Sequence, residues 1–148
     1  MKIEDEIKAR FRNDYHKAFV NLYYTNSALH HRFTELVKGY GLTSTQFNVL
    51  RILRGQSPDA TNIRLLKERM IEKNSDVSRI VDRLFHKGLI DRTESASDRR
   101  NKDIKINQNG LGLLKKMDHC VEQLDLMLSN LDEKEIEQLN HLLDKIRE

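Results

Sequence analysis

The stretch Ser75-Asp76-Val77-Ser78-Arg79-Ile80-Val81-Asp82-Arg83-Leu84-Phe85-His86-Lys87-Gly88-Leu89-Ile90-Asp91-Arg92-Thr93 changes its periodicity halfway along. From Ser75 to Lys87, the residues Val77, Ile80, Val81, Leu84 and Phe85 recur at helical spacing. Ser75, Asp76, Ser78, Arg79, Asp82 and Arg83 fall largely on the opposite face, so the spacing predicts an amphipathic helix with a polar, charged outer side. Gly88 suits the C′ position that ends it. Beyond it, Leu89–Thr93 and Asp103–Asn107 read as two short strands, the second strictly alternating apolar and polar residues. The polar segment between them, Glu94 to Lys102, holds Arg99, Arg100 and Lys102 and forms the tip of the ribbon.

Working toward the N-terminus, Ile63, Leu66 and Met70 predict a short helix over about Asn62–Met70. Before it, Thr43 with Gln46 makes a capping box, and Leu42 with Phe47 makes a hydrophobic staple. These start a helix that runs through Val49, Leu50, Ile52 and Leu53 to the break at Gly55–Pro58. Gly39 and Gly41 close a long helical stretch, Ile3 to Lys38, with Ile3, Ile7, Phe11, Ala18, Leu22 and Leu29 at mostly three-to-four spacing. Toward the C-terminus, Gly110 opens another long helix. Its residues Leu114, Met117, Val121, Leu124, Leu128 and Leu131 span about two and a half heptads, a seam suited to another helix but short of a coiled coil. Asp132 with Glu135 repeats the capping box, and Ile136, Leu139, Leu143 and Ile146 line a final helix.

Composition agrees with long helices and few corners. Of 148 residues, Gly and Pro together supply seven, under half the average share of about 12%. The length suits one domain. A single Cys fits a reducing compartment and excludes a disulfide framework. No apolar run approaches the roughly 18 residues of a membrane span, and Met1 to Arg12 is charged rather than signal-like. A cytoplasmic protein without membrane contact is expected. The net charge of +3 conceals an asymmetry: Ser44 to Gln108 holds 14 basic and 9 acidic residues, whereas the remainder holds 12 and 14. A basic centre between acidic flanks suits a nucleic acid partner.

Helix, turn, outward-polar helix and basic-tipped ribbon follow in the order of a winged helix-turn-helix. A helix fits the major groove, and a slender ribbon can deliver arginine to the minor groove. In four pieces the sequence resembles the MarR family of bacterial transcriptional regulators. They are Leu42-Thr43-x-x-Gln46-Phe47, Val77-Ser78-Arg79-Ile80-Val81-Asp82-Arg83-Leu84, Lys87-Gly88-Leu89-Ile90 and Asp98-Arg99-Arg100.

The resemblance implies a mainly α fold with a small β-ribbon, its winged lobe flanked by N- and C-terminal dimerisation helices. The division expected is 1–40 and 109–148 for the dimer and 41–108 for the lobe. It further implies a homodimer that reads a palindromic operator in double-stranded DNA, more in the manner of a repressor than an activator. Asn74, Ser75, Asp76, Ser78 and Arg79 would lie on the recognition helix. In the wing, Asp98 would orient Arg100 in the minor groove, with Arg99, Lys102 and Arg92 neutralising phosphates. Ile7, Phe11, Leu114, Met117, Val121, Leu124 and Leu128 would form the dimer interface. Lys67, Ile71 and Glu72 depart from the family's turn pattern, which leaves the start of the recognition helix open by a residue or two. Arg83 has a second use, a structural salt bridge with Asp82 or Asp91.

Weaker constellations leave alternatives. Tyr15, His16, Phe19, Tyr23, Tyr24 and Phe47 fit core and dimer surface. Tyr15, His16, Phe19 and Phe47 are also candidates for a pocket that takes a small aromatic effector, as in related regulators. Cys120 reads as packed and inert rather than redox-active, with only His119 near it. His31 with Glu35 and His119 with Glu122 are fragments of a metal site, so no metal is expected. No cofactor is expected either. The sequence holds no glycine-rich phosphate loop and no nucleophile with an identifiable base, so an enzyme is not expected. A helical scaffold whose winged lobe binds protein is the rival function. It predicts no salt-dependent DNA binding.

Overall fold

Each of the two capping boxes forms. The Thr43 hydroxyl accepts from the Gln46 N–H at 3.2 Å while the Gln46 side chain accepts from the Thr43 N–H at 3.1 Å, and Asp132 with Glu135 repeats the exchange. The structure, a computed structural model, describes residues 2–94 and 102–148. In chain order these form α1 (Ile3–Ile7), α2 (Asp14–Lys38), α3 (Ser44–Gln56), α4 (Ile63–Arg69), α5 (Val77–His86), β1 (Ile90–Glu94), β2 (Lys102–Ile106), α6 (Gln108–Lys116), α7 (Asp118–Leu126) and α8 (Glu133–Ile146). Side-chain caps on N3 amides also start α4 from Asn62, α5 from Asp76 and α6 from Asn107.

The strands pair antiparallel, with Ile90 opposite Ile106, Arg92 opposite Ile104 and Glu94 opposite Lys102. Thr61, in the loop between α3 and α4, exchanges both backbone hydrogen bonds with Ile104 and so adds a third rung beside β2. The ribbon's inward residues, Ile90, Ile104 and Ile106, join Val77, Val81 and Leu84 of α5, Leu50 and Leu53 of α3, and Leu66 of α4 in one buried core. Gly110 lets α6 lie against the ribbon's base. A Cβ there would fall 2.3 Å from the Leu89 carbonyl oxygen and 2.7 Å from Ile106 Cγ1.

Two long helices expected from the sequence are broken. The N-terminal stretch divides after Ile7, where Lys8 adopts a left-handed φ of 50° and Asn13 caps α2 on the His16 N–H. The break lets α1 fold back along α2, burying Ile3 and pairing Glu4 with Lys17 and Glu6 with the Tyr24 hydroxyl. The hydrogen bond from Lys17 holds the Glu4 carboxyl below its usual range.

The C-terminal helix bends at Met117 and stops at Leu126, before Leu128 and Leu131. The expected seam divides there. Leu114 and Met117, 1% and 0% exposed, pack into the chain's own core, so they are not available to a second copy as expected. Val121 packs partly against that core, Leu124 is half-buried and Leu128 is exposed. Ile7 and Phe11 are half-buried beside α2, and Phe11 meets the His16 ring edge-on at 5.6 Å.

Candidate functional site

Exposed Ser78, Arg79, Asp82, Arg83 and His86 form one face of α5, opposite buried Val77, Val81 and Leu84. The helix begins later than the sequence suggested. Asp76 is its N-cap, with Oδ1 accepting the Arg79 N–H at 3.1 Å, which leaves Asn74 and Ser75 in the preceding turn. Ser75 and Asp76 are both good caps by residue type, so the sequence left the start ambiguous. Val77, 1% exposed, anchors the first turn in the core. The turn before it is tied down from two sides. The Ile71 N–H donates to Asn48 Oδ1 at 3.0 Å, and Lys73 Nζ donates to the Glu68 carbonyl at 2.8 Å.

Arg92 has a different role from the phosphate contact expected of it. Its guanidinium pairs with the Asp82 carboxylate and lies 4.2 Å from the centre of the Phe85 ring, and its side chain is only 18% exposed. The pair joins β1 to α5 and neutralises the acid on α5's outward face. Arg83, expected as a partner for Asp82 or Asp91, forms no ion pair among the described residues; neither do Arg79 and Lys87. Lys102 is exposed at the described end of β2, whereas Asp98, Arg99 and Arg100 lie outside the described residues.

Alongside α5 runs an open groove of about 710 Å3, lined from α5 by Arg79, Arg83, His86 and Lys87 and from the opposite side by Lys38, Thr43 and Gln46. Lys38 and Lys87 were not expected here from the sequence. They lie on different elements, and only the backbone turn at Gly41 brings them to one groove.

The expected aromatic pocket does not assemble. Phe47 is buried and meets Phe33 edge-on, 5.5 Å between ring centres. Phe19 stands fourteen residues before Phe33 on α2, a rise of about 21 Å. Tyr15 and Phe19 are 88% and 69% exposed, and His16 packs on Phe11. A different cavity, of about 660 Å3, opens where α2, α3, α7 and the turn before α5 meet; Phe33, Phe47, Arg51, Ile71 and Leu124 are among its lining. Cys120 is buried, with His119 Nε2 3.7 Å from its sulfur and the Tyr40 hydroxyl 3.0 Å from the same nitrogen. Among the described residues no group of three or more His, Cys, Asp or Glu is placed to hold a metal ion, and no helix is long and apolar enough to cross a membrane.

The model of the MarR family matches residues 42–102, the span from the start of α3 to the ribbon. The chain is 28% identical over 134 residues to the HTH-type transcriptional regulator MhqR of Bacillus subtilis (strain 168), covering 88% of this chain and 89% of that protein. It is similar to the crystal structure of a MarR transcription factor from Planctomyces limnophilus, at 28% identity and a TM-score of 0.71, over 91% of this chain and 98% of the other. The fold is shared with MepR of S. aureus, solved as a DNA complex, at 22% identity and a TM-score of 0.78, over 93% and 97% of the two chains.

Proposed function

Since the chain is a member of the MarR family of transcriptional regulators, we propose that it acts as a homodimeric repressor that reads a palindromic operator in double-stranded DNA. The observation that carries this reading is the outward face of α5, where Ser78, Arg79 and Arg83 stand exposed while Asp82 is neutralised by Arg92. On this reading α5 enters the major groove, where arginine reads guanine edges and serine adapts to either partner. The ribbon lies along the neighbouring backbone, with Lys102 at its described end; Asp98, Arg99 and Arg100, outside the described residues, are the further contacts proposed from the sequence. DNA is the partner of the related MepR complex, and a cytoplasmic location follows from the same role.

The second copy is held by the terminal helices. None of α8 is buried in the single chain, and Leu142 and Ile146 are 48% and 66% exposed, an apolar stripe that asks for cover. Val121, Leu124 and Leu128, with Ile7 and Phe11, remain the proposed neighbours of that interface.

A small aromatic effector fits the cavity between α2, α3 and α7 rather than the site first expected around Tyr15, His16 and Phe19. Phe33, Phe47 and Leu124 offer apolar walls, and the Arg51 guanidinium lies 5.9 Å from the Phe47 ring centre. Ile71 and Glu72 of the turn before α5 form another wall, so a ligand that favoured one position of that turn would shift the population of DNA-competent dimers.

The test is a titration of the purified chain with duplex DNA at several salt concentrations. A steep fall in affinity with salt supports the regulator. Arg79→Ala should lower affinity at least tenfold while the dimer persists. Salt-independent or absent DNA binding would favour the protein-binding scaffold instead.

A further inference from the structure

The groove beside α5 is richer in positive charge than reading bases requires. The cations Lys38, Arg79, Arg83 and Lys87 line it, and its one acid, Asp82, is already paired with Arg92. Its two walls come from separate parts of the fold, α5 on one side and the junction of α2 with α3 on the other. Lys87 crosses between them, with Nζ donating to the Gly41 carbonyl at 2.7 Å. That bond uses one of the ammonium's three donors and fixes the charge in place; the other two remain for a ligand. Lys38 stands opposite with its side chain 72% exposed and a single long contact to Glu35, 3.4 Å away on its own helix. A second trough, where Arg79 and Arg83 stand beside Thr43 and Gln46, continues the groove toward Ser75 and the acids Glu72 and Asp76 at the start of α5, so the positive lining ends there.

We propose that this groove seats the sugar-phosphate strand flanking the bases read by α5, with Lys38 and Lys87 as phosphate contacts outside the recognition helix and the wing. The inference rests on the DNA-binding reading above and extends its footprint to the junction of α2 and α3. Lysine suits such a seat, because a point charge on a flexible stem with no acceptor neutralises phosphate without selecting a base. Arg83, on the wall it shares with Arg79, continues the positive lining between the base-reading start of α5 and Lys87. Because Lys38 ends the long helix α2, the contact would also connect the dimer frame directly to the DNA backbone.

The experiment measures the affinity of the full chain for its selected operator duplex and for an unrelated duplex, from about 50 to about 200 mM salt. Wild type, Lys38→Gln, Lys38→Gln with Lys87→Gln, and Arg79→Ala are compared. Each phosphate contact removed should reduce the slope of log affinity against log salt by about 0.9. Each lysine substitution removes one contact from each protomer of the bound dimer, so between those two salt concentrations each lysine variant should be about twelvefold less salt-sensitive than its parent. The loss at low salt should be the same on both duplexes, whereas Arg79→Ala should lose more on the operator. Lys38→Gln is the deciding variant, because it removes no bond between elements and keeps the test valid should Lys87→Gln disturb the loop at Gly41. An unchanged slope for Lys38→Gln, with Arg79→Ala still impaired, overturns the groove as a phosphate seat and leaves the DNA reading intact. Absence of salt-dependent binding by wild type overturns the DNA reading and the groove with it.

Discussion

Replacing Arg92 separates two roles for an arginine at the base of the wing. In the structure it does not reach toward solvent; it covers Phe85 and pairs with Asp82. Arg92→Ala removes a partly buried cation–π contact of about 1 kcal/mol and an ion pair of about 1 kcal/mol or less, since Asp82 is 56% exposed. Stability should fall by about 1–2 kcal/mol, lowering the melting temperature by roughly 2–8 °C for a chain of this size. Asp82→Asn keeps the arginine over the ring and should cost less than about 1 kcal/mol.

DNA binding should respond with opposite signs. Arg92→Ala uncovers a carboxylate on the side of α5 proposed to face DNA. Against a phosphate about 6 Å away the repulsion is about 0.7 kcal/mol at the dielectric of water and about 3 at an effective value of 20. Those values correspond to about threefold and about 150-fold, so a loss of at least about threefold is expected. Asp82→Asn should bind as well as wild type or more tightly. The double variant should return to within about twofold of wild type, because the uncovered charge is gone. Thermal melts and fluorescence anisotropy on a labelled duplex make the comparison, read as a double-mutant cycle. A double variant as weak as Arg92→Ala would mean instead that Arg92 itself holds the DNA.

Two glycines of α6 should behave oppositely. Gly110→Ala places a methyl 2.3 Å from the Leu89 carbonyl oxygen, a clash with backbone that should cost about 1–3 kcal/mol or more. Gly112→Ala meets nothing within 4 Å and should stabilise by up to about 1 kcal/mol through helix propensity; melts with the same sign for both would contradict the packing of α6 on the ribbon. For the dimer, Ile146→Asp should shift sedimentation equilibrium toward monomer without altering the helical signal, because Ile146 is 66% exposed in the single chain. An unchanged dimer would remove this part of α8 from the interface.

What could be read in advance was whatever rests on local chemistry. Thr43 with Gln46 and Asp132 with Glu135 are each one helical turn apart, so their hydrogen bonds depend on nothing distant. The amphipathic α5 and the ribbon were legible for the same reason, since their periodicities reflect a core on one side. The N-terminal break was not, because three-to-four spacing continues through Phe11. What divides the helix is the gain from folding Ile3, Glu4 and Glu6 back onto α2, a long-range packing effect. Leu114 and Met117 fit a helical seam equally well against a second copy or against the chain's own lobe, and periodicity cannot distinguish the two. On the outward face of α5, Arg79 was visible as an outward residue of an amphipathic helix. The pairing of Arg92 with Asp82 is not legible in the sequence, because the two residues lie on different elements and only the packing of β1 on α5 brings them together. The aromatic pocket failed on distance: Phe19 stands exposed near the start of α2, whereas Phe47 packs on Phe33 toward the end of that helix.

In the proposed complex two copies of this chain present α5 to the duplex, one helical turn or a multiple of it apart. Selection of bound duplexes from a random pool by the purified chain, followed by sequencing, measures this arrangement. The expected product is an enriched inverted repeat whose half-sites are centred about 10–10.5 base pairs apart, or a multiple of that spacing. Arg79→Ala should weaken or alter the enriched half-site. A pool without enrichment, or a lone half-site without its inverted partner, would contradict this arrangement.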